Sequence, residues 1–299
     1  MVQDSNSMEY IAETRRDFDR FLKSIKSLLP SIFMPEIKGY ITDDNGTRIK
    51  GYREIRFGYR LWRESFIPDF DFRRFFYLAG PVQAECWKLA LSGQVESAAE
   101  FFTEKAMAGH SKCHIEKIAR TVFMEDSYAY FLLLILSKMP KLGKIGRLLD
   151  TKPIEGANEA LWTAKKRGKK TGILSMGFEE FISAHLAHYG IREEVDAIMA
   201  NRLLYEDGIV TGIDKRVKNK GESLQHLLYN LGLENDGSGV VYLGDNEIDA
   251  PVFRKVEYPV VAPNAKKKFR ERCLEDPDFG KRVFAPKDYF EVARKYGLE

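Results

Sequence analysis

Three short stretches carry residue types suited to a phosphoryl group and a divalent cation. Ser175-Met176-Gly177 follows the apolar run Gly172-Ile173-Leu174 and leads into a helical pattern. A hydroxyl and the backbone N–H groups of an opening helix can together hold a phosphoryl oxygen. Lys220-Gly221-Glu222 opens a second helical stretch, where an ammonium can neutralise phosphoryl charge. Gly244-Asp245-Asn246-Glu247-Ile248-Asp249 follows the apolar Val240-Val241-Tyr242-Leu243. It sets two carboxylates four residues apart where a loop becomes a helix, a donor set that suits magnesium. Each stretch alone has a plainer reading. A strand-end Ser caps a helix, a helix-start Lys is solvated, and an Asp there complements the helix dipole. Their order and spacing are what give them weight.

These residues need strands that end at one edge. From residue 153 onward the pattern alternates: helix 155–167, strand 171–175, helix 178–189, strand 196–200, a short hairpin at 202–212, helix 220–232, strand 239–243, helix 249–256 and strand 258–262. Such alternation predicts a parallel sheet covered by helices on both faces. In such sheets chemistry gathers at the carboxyl ends of the strands. Upstream, 84–150 reads as a helical insertion broken near Gly93, Gly109 and Pro140. Residues 8–29 read as an amphipathic helix stopped by Pro30. Residues 36–55 read as a β-hairpin, with Ile37–Thr42 mirrored by Thr47–Tyr52 around Asp43-Asp44-Asn45-Gly46. A short apolar strand, Phe75-Phe76-Tyr77-Leu78-Ala79, ends at Gly80-Pro81. The domains expected are an extension over 1–72, a core made of 73–82 and 151–299, and a helical cap over 83–150.

Composition narrows the functional classes. The 299 residues balance 47 Lys and Arg against 44 Asp and Glu, so the charge gives no case for nucleic acid or an anionic membrane. The apolar run 129–136 is far shorter than the ~20 residues that cross a bilayer. The N-terminus has no apolar signal core. The three cysteines, Cys86, Cys113 and Cys273, form no CxxC pair and fit a reducing, cytoplasmic setting. His110 and His114 suit a solvated cap-helix face better than half a metal site, and His185 and His188 read as ordinary helix residues.

With these motifs in place, residues 152–275 resemble the haloacid dehalogenase (HAD) superfamily, in its phosphoserine phosphatase-like branch. Gly172–Phe178 is similar to the family's second motif, with Met176 in place of a glycine. Ala200–Leu203 with Asp207–Gly212 resembles its hairpin, and Lys220-Gly221-Glu222 its third motif. Val240–Asp249 resembles its fourth motif, and Lys105–Gly109 a segment of its cap. The resemblance implies an α/β fold: a Rossmann-like three-layer parallel sheet with a helical cap, here carrying an extra N-terminal helix and hairpin. It implies that Ser175 and Gly177 bind the phosphoryl group, that Lys220 stabilises its charge, and that Asp245 and Asp249 serve a Mg2+ ion.

The family also needs an Asp-x-Asp, whose first Asp attacks phosphorus and whose second moves protons. Three segments compete for it. Asp43-Asp44-Asn45-Gly46-Thr47 has Asn45 where the second acid belongs, and an amide cannot shuttle a proton. Asp69-Phe70-Asp71 has both acids but little strand before it. The strand 75–79 is suitably apolar and lies just before the cap, which favours it, but it puts Tyr77 and Ala79 in place of the two acids. Two functions follow: a magnesium-dependent hydrolase of a small phosphorylated metabolite, or a catalytically inactive member of the fold that binds a ligand or acts as a scaffold. The N-terminal helix is a surface for a protein partner or for self-association.

Overall fold

A computed structural model describes residues 36–50, 107–121 and 152–298, with isolated positions 84, 85, 88, 89, 92, 101, 104 and 105. In chain order its main elements are β1 (Gly39–Thr42), α1 (Lys112–Thr121), α2 (Ala157–Lys166), β2 (Lys170–Phe178), α3 (Glu179–His188), β3 (Ala197–Glu206), β4 (Ile209–Asp214), α4 (Lys220–Leu231), β5 (Val240–Gly244), α5 (Ala250–Phe253), β6 (Tyr258–Val261), α6 (Lys267–Glu275) and α7 (Tyr289–Lys295). Among the described residues six strands form one sheet in the order β4-β3-β2-β1-β5-β6. All pairings are parallel except β3 with β4.

Side chains alternate across this sheet, so each strand feeds two cores. Tyr40, Ile173, Val241 and Val260 face one side and pack with α2, α3 and α7. Ile41, Leu174, Val240, Tyr242 and Val261 face the other and pack with α4, α5 and α6. This is the three-layer α/β architecture expected from the sequence, and the elements from α2 to β6 fall close to where periodicity placed them.

The N-terminal part differs. Residues 39–42 are no hairpin arm but the central strand of the sheet, parallel to β2 on one side and β5 on the other. The Asn-Gly turn is real: Gly46 has φ +79°. It turns the chain into a compact loop instead of an antiparallel partner, with the Gly46 N–H donating to the Ile49 carbonyl at 2.9 Å. Because β1 fills the position beside β5, the slot expected for strand 73–82 is taken. Tyr77 and Ala79 lie outside the described residues, as do Asp69, Asp71 and helix 8–29.

A third, smaller core joins α1 to the edge hairpin. Met107, Ile115 and Ile118 pack with Phe178, Phe181, Leu203 and Val210. Backbone bonds tie the segments: Gly109 N–H donates to Val210 O at 2.9 Å and Lys112 N–H to Gly208 O at 2.6 Å. His110 and His114 stack at 4.8 Å within this unit. Among the described residues no helix is long and apolar enough to cross a membrane.

Candidate active site

The segments that follow β1 and β5 meet at Lys220. This lysine opens α4, whose start is set by Asn219: its side chain accepts N–H bonds from Gly221 at 2.8 Å and Glu222 at 3.4 Å. The Lys220 side chain is almost fully buried. Its Nζ lies 2.8 Å from Asp43 Oδ1, one residue past β1, and 2.7 Å from Asp249 Oδ1. Burial alone would lower the lysine's pKa. The attraction of Asp249 and Asp43 outweighs it and raises the pKa, so the ammonium is held protonated.

Asp43 stands in the opposite condition. Burial pushes its carboxyl well above the usual carboxylate range, and the nearby Asp249 and Asp245 add to this, while Lys220 opposes it. Oxygens of Asp43, Asp245 and Asp249 lie within 4.8 Å of one another. Three carboxylates thus face one ammonium in a largely water-free place, leaving a negative excess that a divalent cation would neutralise. Among the described residues this is the only such group of three or more acidic, histidine or cysteine ligands.

The two fourth-motif acids do different work. Asp249 Oδ1 accepts from Lys220 and from the Tyr242 hydroxyl, each at 2.7 Å. Its Oδ2 accepts the N–H groups of Asp245 at 2.9 Å and Asn246 at 3.2 Å. Four donors occupy the four lone-pair positions of a carboxylate. Asp249 therefore anchors the lysine and shapes the loop that carries Asp245. Asp245 itself accepts the Thr47 hydroxyl at 3.0 Å and the Asn246 side-chain amide at 3.3 Å. The β1 loop closes tightly on it: a Cβ at Gly46 would lie 2.4 Å from Asp245 Oδ2.

Ser175 is buried near the end of β2, where its Oγ accepts the Gly177 N–H at 3.1 Å. Its own hydrogen can still be donated to a phosphoryl oxygen. Asn201 braces this turn from β3. Its side chain donates to Met176 O at 2.6 Å and accepts Val217 N–H at 3.0 Å, linking the β2 turn to the segment before Lys220.

Ser175, Lys220, Asp245 and Asp249 thus fall at one edge as their spacing suggested, and Asp43 is the competing acid that joins them. Sequence reasoning missed Tyr242, which looks like one more apolar strand residue, and Asn201, which lay in a quoted motif without a role. It also missed a buried cluster behind the site. Arg48 pairs with Asp44 at 2.7 Å, donates to Asn158 Oδ1 at 2.9 Å, and lies 3.0 Å from His185 Nδ1. His185 is thus a packing residue of α3, fully buried and with a polar partner. Tyr242→Phe removes a hydrogen bond to a buried carboxylate. It is expected to lower stability by about 1.5–3 kcal/mol, read by urea unfolding.

A family model described as haloacid dehalogenase-like hydrolase matches residues 45–257. That is more than half of the chain, which belongs to this family of hydrolases. The chain is 26% identical over 197 residues to a phosphoserine phosphatase of Methanocaldococcus jannaschii, covering 64% of this chain and 85% of that protein. Its fold matches a substrate-bound phosphoserine phosphatase with a TM-score of 0.51 at 18% identity, over 86% of this chain and 97% of the other. It also matches a HAD family hydrolase from Salmonella enterica serovar Typhi with a TM-score of 0.54 at 17% identity, over 94% and 80% of the two chains.

Proposed function

We propose that the protein is a magnesium-dependent phosphohydrolase that works through a covalent aspartyl phosphate on Asp43, acting on a small phosphorylated metabolite. The observation that carries this reading is the placement of Asp43. It directly follows the central strand, shares the buried Lys220 with Asp249, and lies within reach of Asp245. Asp43 Oδ attacks phosphorus in line with the departing group. Lys220 and the Ser175 hydroxyl hold the phosphoryl oxygens, and Lys220 offsets charge that builds on them. Asp43 and Asp245 are the residues that would hold Mg2+, since Asp249 is saturated by protein donors. When bound, the ion supplies Lewis-acid stabilisation of phosphoryl charge.

The inactive alternative drew its motive from Tyr77 and Ala79 in the first-motif positions. The position of β1 beside β5, followed directly by the Asp43 carboxylate, supports the active reading over it. A chromogenic phosphomonoester panel with and without magnesium, together with binding of the phosphate mimic beryllium fluoride, tests the proposal. Magnesium-dependent phosphate release and a beryllium fluoride adduct on Asp43 are expected. Inertness towards the panel combined with no adduct overturns it.

Gly46 offers a second check on the metal assignment. Alanine there needs the strained left-handed backbone at φ +79° and drives its methyl into Asp245. Strain of about 1–3 kcal/mol placed on a metal ligand is expected to raise the magnesium needed for half-maximal activity about tenfold or more. A magnesium titration of activity in Gly46→Ala reads this directly.

A further inference from the structure

The carboxylates of Asp43, Asp245 and Asp249 bring oxygens within 4.8 Å of one another, and Lys220 is the ammonium set between Asp43 and Asp249. A negative excess of this kind attracts a cation and repels a phosphoryl group, yet a phosphohydrolase takes both at one place. Tyr242 acts on that balance without adding a charge. It lies on β5 between Val241 and Leu243 and is fully buried. An apolar side chain would fill the same core position, whereas a buried phenol needs a partner for its hydroxyl. That partner is Asp249 Oδ1, at 2.7 Å. The same oxygen accepts Lys220 Nζ, also at 2.7 Å. Burial pushes the phenol well above its ordinary range and Asp249 adds to this, so Tyr242 stays a neutral donor.

The two oxygens of Asp249 thus have separate tasks. Oδ2 accepts the N–H groups of Asp245 and Asn246 and fixes the loop that carries Asp245. Oδ1 is shared by Lys220 and Tyr242. Donation from the phenol draws charge from that oxygen. Asp249 then competes less for the ammonium, which Asp43 and an incoming phosphoryl group also use. We propose that Tyr242 is a positioning residue that sets the site's relative affinity for its two ligands, acting through Asp249 and Lys220 to favour the phosphoryl group over the divalent cation. This rests on the phosphohydrolase reading. No bond is made or broken at the phenol and no proton leaves it. Its hydroxyl is a fixed dipole in a buried place, where such a dipole has a larger effect than in water.

Tyr242→Phe removes the dipole and keeps the ring. The bonds at Asp249 Oδ2 are untouched, so the Asp245 loop keeps its support. Losing one hydrogen bond to a buried anion is expected to tighten magnesium binding about fivefold or more. It is expected to weaken binding of inorganic phosphate, with magnesium saturating, by about the same factor. Isothermal titration calorimetry on the full chain reads both affinities and needs no turnover. The opposite signs distinguish this role from a structural one, since a loosened site loses both ligands together. Phe253 provides the control: its ring packs edge-on against Tyr242, with centroids 6.0 Å apart, and takes no part in the hydrogen bond. Phe253→Leu is expected to lower stability and leave both affinities unchanged. Fluorotyrosine placed at residue 242 is a stronger donor and is expected to move both affinities the other way. That measurement stands by itself if Tyr242→Phe fails to fold. Affinities that stay put or move in the same direction, or an equal shift in Phe253→Leu, overturn this inference and leave the phosphohydrolase intact. A parent chain that binds neither magnesium nor phosphate overturns both.

Discussion

Asp43→Asn is expected to abolish turnover, by a factor on the order of 10⁴–10⁶ in kcat, as removal of an attacking side chain does when it acts with its partners as a unit. The amide is close in shape to the carboxyl, so loss of the attacking electron pair is the dominant change. What separates this from simple misfolding is the opposite expectation for stability. Burial and two neighbouring carboxylates hold the Asp43 carboxyl well above its ordinary range, which means the fold disfavours its charged form. Replacing it by a neutral amide relieves that penalty, and Lys220 keeps its bond to Asp249. The variant is therefore expected to unfold, without magnesium, at a temperature equal to or above that of the parent. It is also expected to lose most of the stabilisation that magnesium confers on the parent. Thermal scans with and without magnesium, beside a kcat measurement, read both effects. Retention of activity within tenfold of the parent removes Asp43 from the nucleophile's role.

The parallel core was legible because its strands and helices alternate with clear punctuation. Val240–Leu243 and Ile173–Leu174 are apolar runs buried on both faces, and each ends in polar residues at a turn. β1 carries the same role in a less readable form. Only four residues long, it contains Gly39, where a Cβ would meet Leu233 Cδ1 at 2.6 Å. The glycine is there because Leu233, just after α4, packs against the strand, and that close approach costs the segment its apolar signature. Thr42 and the following acids dilute it further, so the mirrored Ile37–Thr42 and Thr47–Tyr52 invite the hairpin reading. A better signal was available. Asp43–Thr47 resembles the first motif in spacing, but the strand before it is short and not continuously apolar. The buried polar groups were illegible for a different reason. A lone Arg or Tyr in a sequence carries no mark of whether its partners surround it, and those of Arg48 and Tyr242 come from distant positions such as Asn158, His185 and Asp249.

Arg48 is a place where the fold is exposed to a single change. The side chain is fully buried, and its guanidinium is pulled down to about 10 by burial yet remains protonated at neutral pH. It bonds Asp44 in the β1 loop, Asn158 on α2 and, through His185 Nδ1, α3. Since Arg only donates, His185 Nδ1 must accept, which keeps that ring neutral with its proton on Nε2. One guanidinium thus ties two helices, α2 and α3, to the residue next to Asp43. Arg48→Met removes the cation paired with the buried Asp44 carboxylate and is expected to cost about 3–5 kcal/mol. Removing both charges has a different consequence, because the desolvation of each ion no longer has to be offset. Asp44→Leu combined with Arg48→Met is expected to recover more than half of the loss, and urea unfolding of the two single variants and the double variant measures the coupling. Equal losses in the single Arg48 variant and the double would mean that the arginine acts through Asn158 and His185, with its pairing to Asp44 contributing little. If the double variant is stable yet its kcat falls below that of the parent, the cluster is also what holds the peptide after Asp43 in line with the phosphorus.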